Sequence, residues 1–190
     1  GVHMKKDYLI EDKEGLLYTY LRLLHGIPEG SKDLPYDTAI PQESNIDILH
    51  GIDYNKGCYV GQEPVSRVYH QGVVRKRLFP VITVETQAEA SEVPPEHDGK
   101  SLMPQPIYDK LIKSADIPMP TEGDIRNADG KRVGKIMSTE GNVGLAMLRV
   151  AHIGQSPLKV GLTYILPIMP YHYTSAVKKG LIEVEPLNVT

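Results

Sequence analysis

The sequence predicts an α+β protein, helical and loop-rich up to Arg75 and built of short strands beyond it. Two observations carry that expectation. Apolar residues recur at helical spacing between Asp12 and His25, and from Val73 onward β-branched segments alternate with glycine-containing turns. A third observation bounds it: 190 residues can bury a core without disulfides or a structural metal.

Taken in order, Leu16, Leu17, Tyr20, Leu21 and Leu24 make a helical stripe that Gly26 and Pro28 should end. The stretch GIPEGSKDLPYDTAIP, residues 26–41, is dense in Gly, Pro and Asp and reads as a surface loop. Pro41 opens QESNIDILHG, a short helical or irregular segment closed by Gly51. Gly57, Gly61 and Gly72 punctuate the next block. Between the last two, QEPVSRVYH reads as a short helix from 62 to 70, with Gly61 as N-cap and Glu63 and Pro64 in a first turn that tolerates both.

After Gly72 the pattern turns strand-like in VVRKRLFPVITVE. Between Leu78 and Gly99 there is no Lys or Arg, while Glu85, Glu89, Glu92, Glu96 and Asp98 gather around Pro94 and Pro95. That segment reads as a mobile surface loop, or as an acidic dock for a basic partner. In IRNADGKRVGKIMS the Asp-Gly signals a hairpin, and GNVGLAMLRV, KVGLTYILPIM and IEVEP read as further strands. Short strands with glycine turns and almost no helix suggest a small barrel or sandwich.

Composition narrows the function. Apolar residues make up 41% and charged residues 24%, an ordinary globular balance, and no apolar stretch is long enough to span a bilayer. A net charge of -3 lacks the basic excess of a general nucleic-acid binder. One cysteine excludes an internal disulfide and fits a reducing compartment. The same count rules out an all-cysteine iron-sulfur or zinc site made by this chain alone, because such sites need about four soft ligands. Seven histidines are scattered without metal-site spacing, and no P-loop, dinucleotide fingerprint or Ser/His/Asp pattern is present. The opening GVHM reads as a cloning remnant without targeting information.

The string KGCYVGQE, Lys56 to Glu63, resembles the hallmark of the YgfZ family, relatives of the folate-binding T-protein of glycine cleavage, GcvT. The surrounding order agrees with that family: a helix, PQESN at 41–45, the motif, Arg67, then GVVRKRLFPV leading into a barrel, with VGKIMS and GLAMLRV similar to its barrel domain. PQESN combined with GVVRKRLFPV looks closest to the mitochondrial branch, whose members assist 4Fe-4S cluster assembly for biotin synthase-like and aconitase-like proteins.

The resemblance implies two domains: residues 5–75 as the second half of a GcvT-like folate-binding-type domain, and residues 76–190 as a C-terminal antiparallel β-barrel. Family members carry a long N-terminal region that has no counterpart before Lys5, so the chain reads as truncated. Family folate pockets draw on both halves. A mitochondrial matrix location is implied, with no membrane or nucleic-acid partner.

Cys58 is the leading functional candidate. It lies in a glycine-flanked turn just before a helix N-terminus, near Lys56 and Arg67, features that favour thiolate and suit a soft-metal ligand or nucleophile. The bland alternative is a small buried hydrophobe. One thiolate cannot hold a 2Fe-2S cluster, so the resemblance implies a cluster shared with an IscA-type scaffold, and transfer to cluster-receiving apo-enzymes in place of turnover.

The neighbours divide between duties. Gly57 and Gly61 position the turn; Gln62 and Glu63 cap the helix or bond across it; Tyr59 packs in the core or lines the site. By resemblance Glu43 matches a glutamate that contacts the pterin ring of folate, since a carboxylate can accept a paired hydrogen bond from it. Its alternative duty is helix capping. Tetrahydrofolate binding, as a module or an aminomethyltransferase-like enzyme, is therefore a second reading, and a thiol redox protein using Cys58 without a resolving cysteine is a third. Arg67, His70, Arg75, Lys76 and Arg77 form the densest basic run, read either as an anion-binding surface or as a solvated face alternating with Val73, Val74 and Leu78.

Overall fold

A computed structural model describes residues 15–71, 74–92 and 103–178. The start of the first predicted helix before Gly15, the tip of the acidic segment with Glu96 and Asp98, and the predicted IEVEP strand lie outside the described residues.

Six strands close into an antiparallel barrel: β1 (Lys76–Val84), β2 (Asp124–Arg126), β3 (Arg132–Glu140), β4 (Val143–Arg149), β5 (Leu158–Val160) and β6 (Thr163–Pro167). Their order is β1-β4-β3-β2-β5-β6, with β6 pairing back onto β1. The predicted small barrel is thus observed, and the sandwich is not. Three hairpin turns place Gly130, Gly141 and Gly161 at φ of 75°, 56° and 58°, a left-handed backbone that costs glycine least.

The longest strand shows how one sequence run serves two cores. β1 is buried at every position after Lys76. Side chains alternate faces along a strand. Phe79 and Val81 accordingly enter the barrel interior with Ile125, Ile136, Ala146, Leu148 and Ile165. Leu78, Ile82 and Val84 point outward into a second cluster with Leu23, Leu24, Ile107, Leu111, Val143 and Leu145. Full burial of each such side chain contributes about 1.5–3 kcal/mol.

The outer cluster is roofed by α1 (Leu16–Leu24), by α4 (Gln87–Ala90) and by α5 (Gln105–Lys113). α1 ends as predicted: Gly26 sits at φ 67°, and the Ile27 and Gly26 amides return to the Arg22 and Leu23 carbonyls at 3.1 and 2.9 Å, a Schellman closure. The predicted loop over 26–41 contains a short helix, α2 (Gly30–Asp33). It exists because Asp33, fully buried, accepts a 2.7 Å ion-paired bond from Arg22 and a 3.0 Å bond from the Glu29 amide.

The acidic segment also departs from its reading as a mobile loop. Thr86 and Glu89 form a reciprocal capping box for α4. Glu85 and Glu89 pair with Lys113, and Glu92 with Lys110, so the cations absent from the segment's own sequence come from α5. The sequence did not reveal α5 or the last helix, α6 (Tyr171–Lys178), which together with α3 (Gln62–Gln71) complete the element list.

The described segments outside the barrel reach its end. Ile48, Tyr173 and Ala176 join the interior cluster, so residues 41–51 and α6 plug one mouth. Among the described residues no helix is long and apolar enough to cross a membrane.

Candidate functional site

The segment before the cysteine loop is built of two successive one-turn motifs. The Ile46 amide bonds the Pro41 carbonyl at 2.9 Å with Asn45 at φ 63°, and the Gly51 amide bonds the Ile46 carbonyl at 2.7 Å with His50 at φ 60°. Each is a Schellman-type closure, and each spends a non-glycine residue in left-handed backbone.

Asn45 is held there by its side chain. Its Nδ2 donates to the Leu78 carbonyl at 2.7 Å and to the Tyr173 hydroxyl, which itself donates to the same carbonyl at 2.6 Å. Arg77, 1% exposed, donates to both carboxylate oxygens of Asp47 at 2.8 and 2.7 Å and to the Gln42 carbonyl at 2.7 Å. The basic run 67–77 is therefore not one surface. Arg77 falls on the inner side of β1 by the strand's alternation and seals the barrel mouth, while Arg75 and Lys76 are exposed.

Gln42, also buried, donates from Nε2 to the Val65 carbonyl at 2.7 Å and so ties α3 to these turns. Gln42, Asn45 and Asp47 are polar residues to which sequence reasoning assigned no individual role, while Arg77, singled out in the basic run as an anion-binding or solvated side chain, is buried instead. An arginine beginning an apolar run reads as solvated until the loop that covers it is known.

The KGCYVGQE loop hangs between these turns and α3. Asp53 Oδ1 accepts from the Asn55 amide at 2.8 Å, bending the chain, and Tyr54 stacks on Tyr69 of α3 with ring centroids 3.9 Å apart. The Gln62 amide donates to the Tyr59 carbonyl and Gln62 Oε1 accepts from the Tyr59 amide, both at 3.2 Å. That reciprocal pair closes the loop onto the first turn of α3. Gly61 lies at φ 85°, whereas Gly57 has neither a left-handed backbone nor an atom within 4 Å of where a Cβ would stand.

Cys58 is exposed at the crest of this loop. Lys56 places its ammonium 4.5 Å above the Tyr59 ring, a cation–π contact, and Tyr59 is 37% exposed, outside either hydrophobic cluster. Val60 beside it is fully exposed. Arg67 turns back along α3 to pair with Glu63, both exposed. Among the described residues no group of three or more His, Cys, Asp or Glu could hold a metal ion. Chemically, the loop offers one accessible sulfur that belongs to no such group of ligands among the described residues.

Glu43 stands apart from that loop in its contacts. Its carbonyl accepts from the Leu78 amide at 2.9 Å, and its carboxylate pairs with Lys76 at 3.1 Å on the outside of β1.

Residues 75–171 match the family model described as CAF17, C-terminal beta-barrel domain. The chain belongs to this family. The CAF17-type barrel is the closed sheet of β1 to β6, and the resemblance read from the sequence agrees with it.

Curated relatives extend the likeness upstream. The chain is 40% identical over 144 residues to the protein named "Iron-sulfur cluster assembly factor IBA57 homolog, mitochondrial" of Mycosarcoma maydis, covering 74% of this chain and 35% of that one. It is 42% identical over 135 residues to the protein of the same name in Coccidioides immitis, covering 70% and 30%. It is 37% identical over 136 residues to "Iron-sulfur cluster assembly factor IBA57, mitochondrial" of Homo sapiens, covering 69% and 29%. The chain thus spans about a third of the length of the curated relatives it matches. The mitochondrial location expected from the sequence is the one these names carry.

Proposed function

We propose that this CAF17-type chain serves mitochondrial iron-sulfur cluster assembly, and that Cys58 supplies one ligand of a 2Fe-2S cluster completed by a partner scaffold of the IscA type. The observation that carries the proposal is the exposed Cys58 on a loop braced by the Tyr54–Tyr69 stack and the Gln62–Tyr59 bonds, outside any group of three or more candidate ligands among the described residues. A single cysteine sulfur so placed suits a metal centre whose coordination shell another molecule completes. The relatives' names support the process, and the single cysteine supports the sharing.

In this reading Lys56, Tyr59, Gly61 and Gln62 set the loop's shape, Glu63 and Arg67 brace the first turns of α3, and the cluster is cargo handed to a receiving apo-enzyme. Residues 5–75 would belong to the folate-binding-like half and 76–190 to the barrel. Tetrahydrofolate stands second because Glu43, the carboxylate assigned to a pterin, already faces Lys76 at 3.1 Å.

The test is reconstitution with an IscA-type scaffold, ferrous iron and sulfide, read by visible absorbance and by the mass of the complex on size exclusion. We expect a coloured heteromeric complex from the native chain and none from Cys58→Ser. An equal yield of coloured complex from Cys58→Ser would remove Cys58 as a ligand.

A further inference from the structure

A second surface stands on the outer face of the barrel. Strands β1, β3 and β4 present a groove of about 320 Å³ lined by the exposed Lys76, Arg132, Lys135 and Arg149 and by Glu43, with the half-buried Met137 and Met147 as its floor. The chain as a whole carries a net charge of -3, so this concentration of cations runs against the average.

The strand register makes the cluster costly. Lys76 is the direct cross-strand partner of Arg149, and Lys135 that of Met147, two residues from Arg149 on the same face. Like charges directly opposite on neighbouring strands are destabilising. Relief is partial: Glu43 pairs with Lys76 and Asp124 with Arg132, while among the described residues Lys135 and Arg149 have no carboxylate partner. A fold does not need that arrangement, because a glutamate at either position would pair with its neighbours.

The floor specifies more than charge. Methionines adapt to irregular apolar side chains and recur on surfaces that receive peptide segments. Cations from three strands around a soft apolar floor match an extended polypeptide that alternates carboxylates with apolar residues.

We propose that the groove on the outer face of β1, β3 and β4 docks an acidic, apolar-interrupted segment of a partner protein through Lys76, Lys135 and Arg149. The site is separate in its residues from the Cys58 loop, so it stands or falls independently of the cluster reading.

The probe is a fluorescently labelled synthetic peptide of alternating Glu and Leu, with a Gln-Leu peptide and a short single-stranded RNA as comparison arms, titrated by anisotropy at low and physiological salt. We expect the Glu-Leu peptide to bind, to weaken with salt as exposed charge pairs do, and to exceed both comparison arms. Lys135→Glu with Arg149→Glu should weaken it at least about tenfold, the scale of losing two opposed charge contacts. Lys159→Glu, an exposed cation on another strand, and Cys58→Ser should leave it unchanged. Lys135→Gln with Arg149→Gln, which removes charge without reversing it, should also lose the peptide and should raise the melting temperature by about 1–3 °C as the repulsion disappears. Absence of binding, binding indifferent to both double variants, or tighter binding of the RNA would overturn the proposal.

Discussion

Asn45 joins three parts of the chain with one amide: its own turn, the β1 carbonyl of Leu78 and the Tyr173 hydroxyl of α6. Replacing it by alanine takes one of two donors from the Leu78 carbonyl and the donor from the Tyr173 hydroxyl, and leaves a side chain poorly suited to φ 63°. Asn45→Ala should cost about 2–3 kcal/mol in urea unfolding. Asp47→Ala should cost more, about 3–5 kcal/mol, because it leaves the buried Arg77 without its bidentate carboxylate. Arg77→Met combined with Asp47→Leu should recover most of that loss, since the penalty lies in the stranded charge. If the pair of substitutions unfolds the protein as far as Asp47→Ala does, the network contributes through geometry and not through charge. At this scale Cys58 was legible as the lone thiol on a glycine-flanked turn, because that rests on a count and a local motif. Arg77 was not legible as a buried residue. A period-two pattern says only that it lies on the face opposite Leu78, and which face is wet depends on residues 41–47 folding over the barrel mouth.

Among elements, α1 and the Asp129-Gly130 hairpin were legible, as each carries its own start and stop signals, whereas KVGLTYILPIM read as strand and holds the β5–β6 hairpin. The close of α1 also shows where a glycine has no substitute. A Cβ on Gly26 would lie 2.6 Å from the Tyr173 hydroxyl, in a backbone already at φ 67°. Gly26→Ala should destabilise by about 2–4 kcal/mol, combining left-handed strain with overpacking, and a thermal melt within a degree of the native protein would refute it.

The α4–α5 clasp was not legible, for α5 has nine residues and only Ile107 and Leu111 buried. Helices that short are marginal in isolation and depend on the surface they cover. The clasp has a pH window. The hydrogen bond from Lys113, opposed by burial and aided by the Thr86 amide, holds the Glu89 carboxyl below its usual 4.5. Glu85 and Glu89 push the Lys113 ammonium above its usual 10.5. Glu89 therefore contributes fully above pH 4.5 and loses that contribution as pH falls through its lowered value, while Lys113 contributes fully below 10.5 and loses it as pH rises through its raised one. Glu89→Gln should flatten the acid limb of the stability profile below pH 4.5, measured by denaturation at successive pH values, and leave the limb near neutrality unchanged.

Over the whole molecule, stability is unevenly spread. Closure of the barrel leaves no free sheet edge among the described residues. β1 is buried on both faces, whereas among the described side chains of α3 only Val65 is buried. Hydrogen exchange should be slowest in β1 and β4 and much faster in α3 and the loop before it, because exchange follows local opening. Equal protection in both would show that the Cys58 loop is as rigid as the barrel. The expected contrast suits the proposed role, in which the thiol adapts to a partner while its base stays fixed.

The sequence by itself determined the helix-then-barrel order, the Asp129-Gly130 hairpin and Cys58 as the lone thiol, because these rest on local periodicity, turn chemistry and a residue count. Only the tertiary structure decided that PQESN seals the barrel mouth, that Glu43 faces Lys76, and that Lys76, Lys135 and Arg149 share one groove. Those outcomes depend on strand register and loop packing, where residues far apart in sequence meet, as Asn45 and Tyr173 do across 128 positions. No local pattern encodes that meeting.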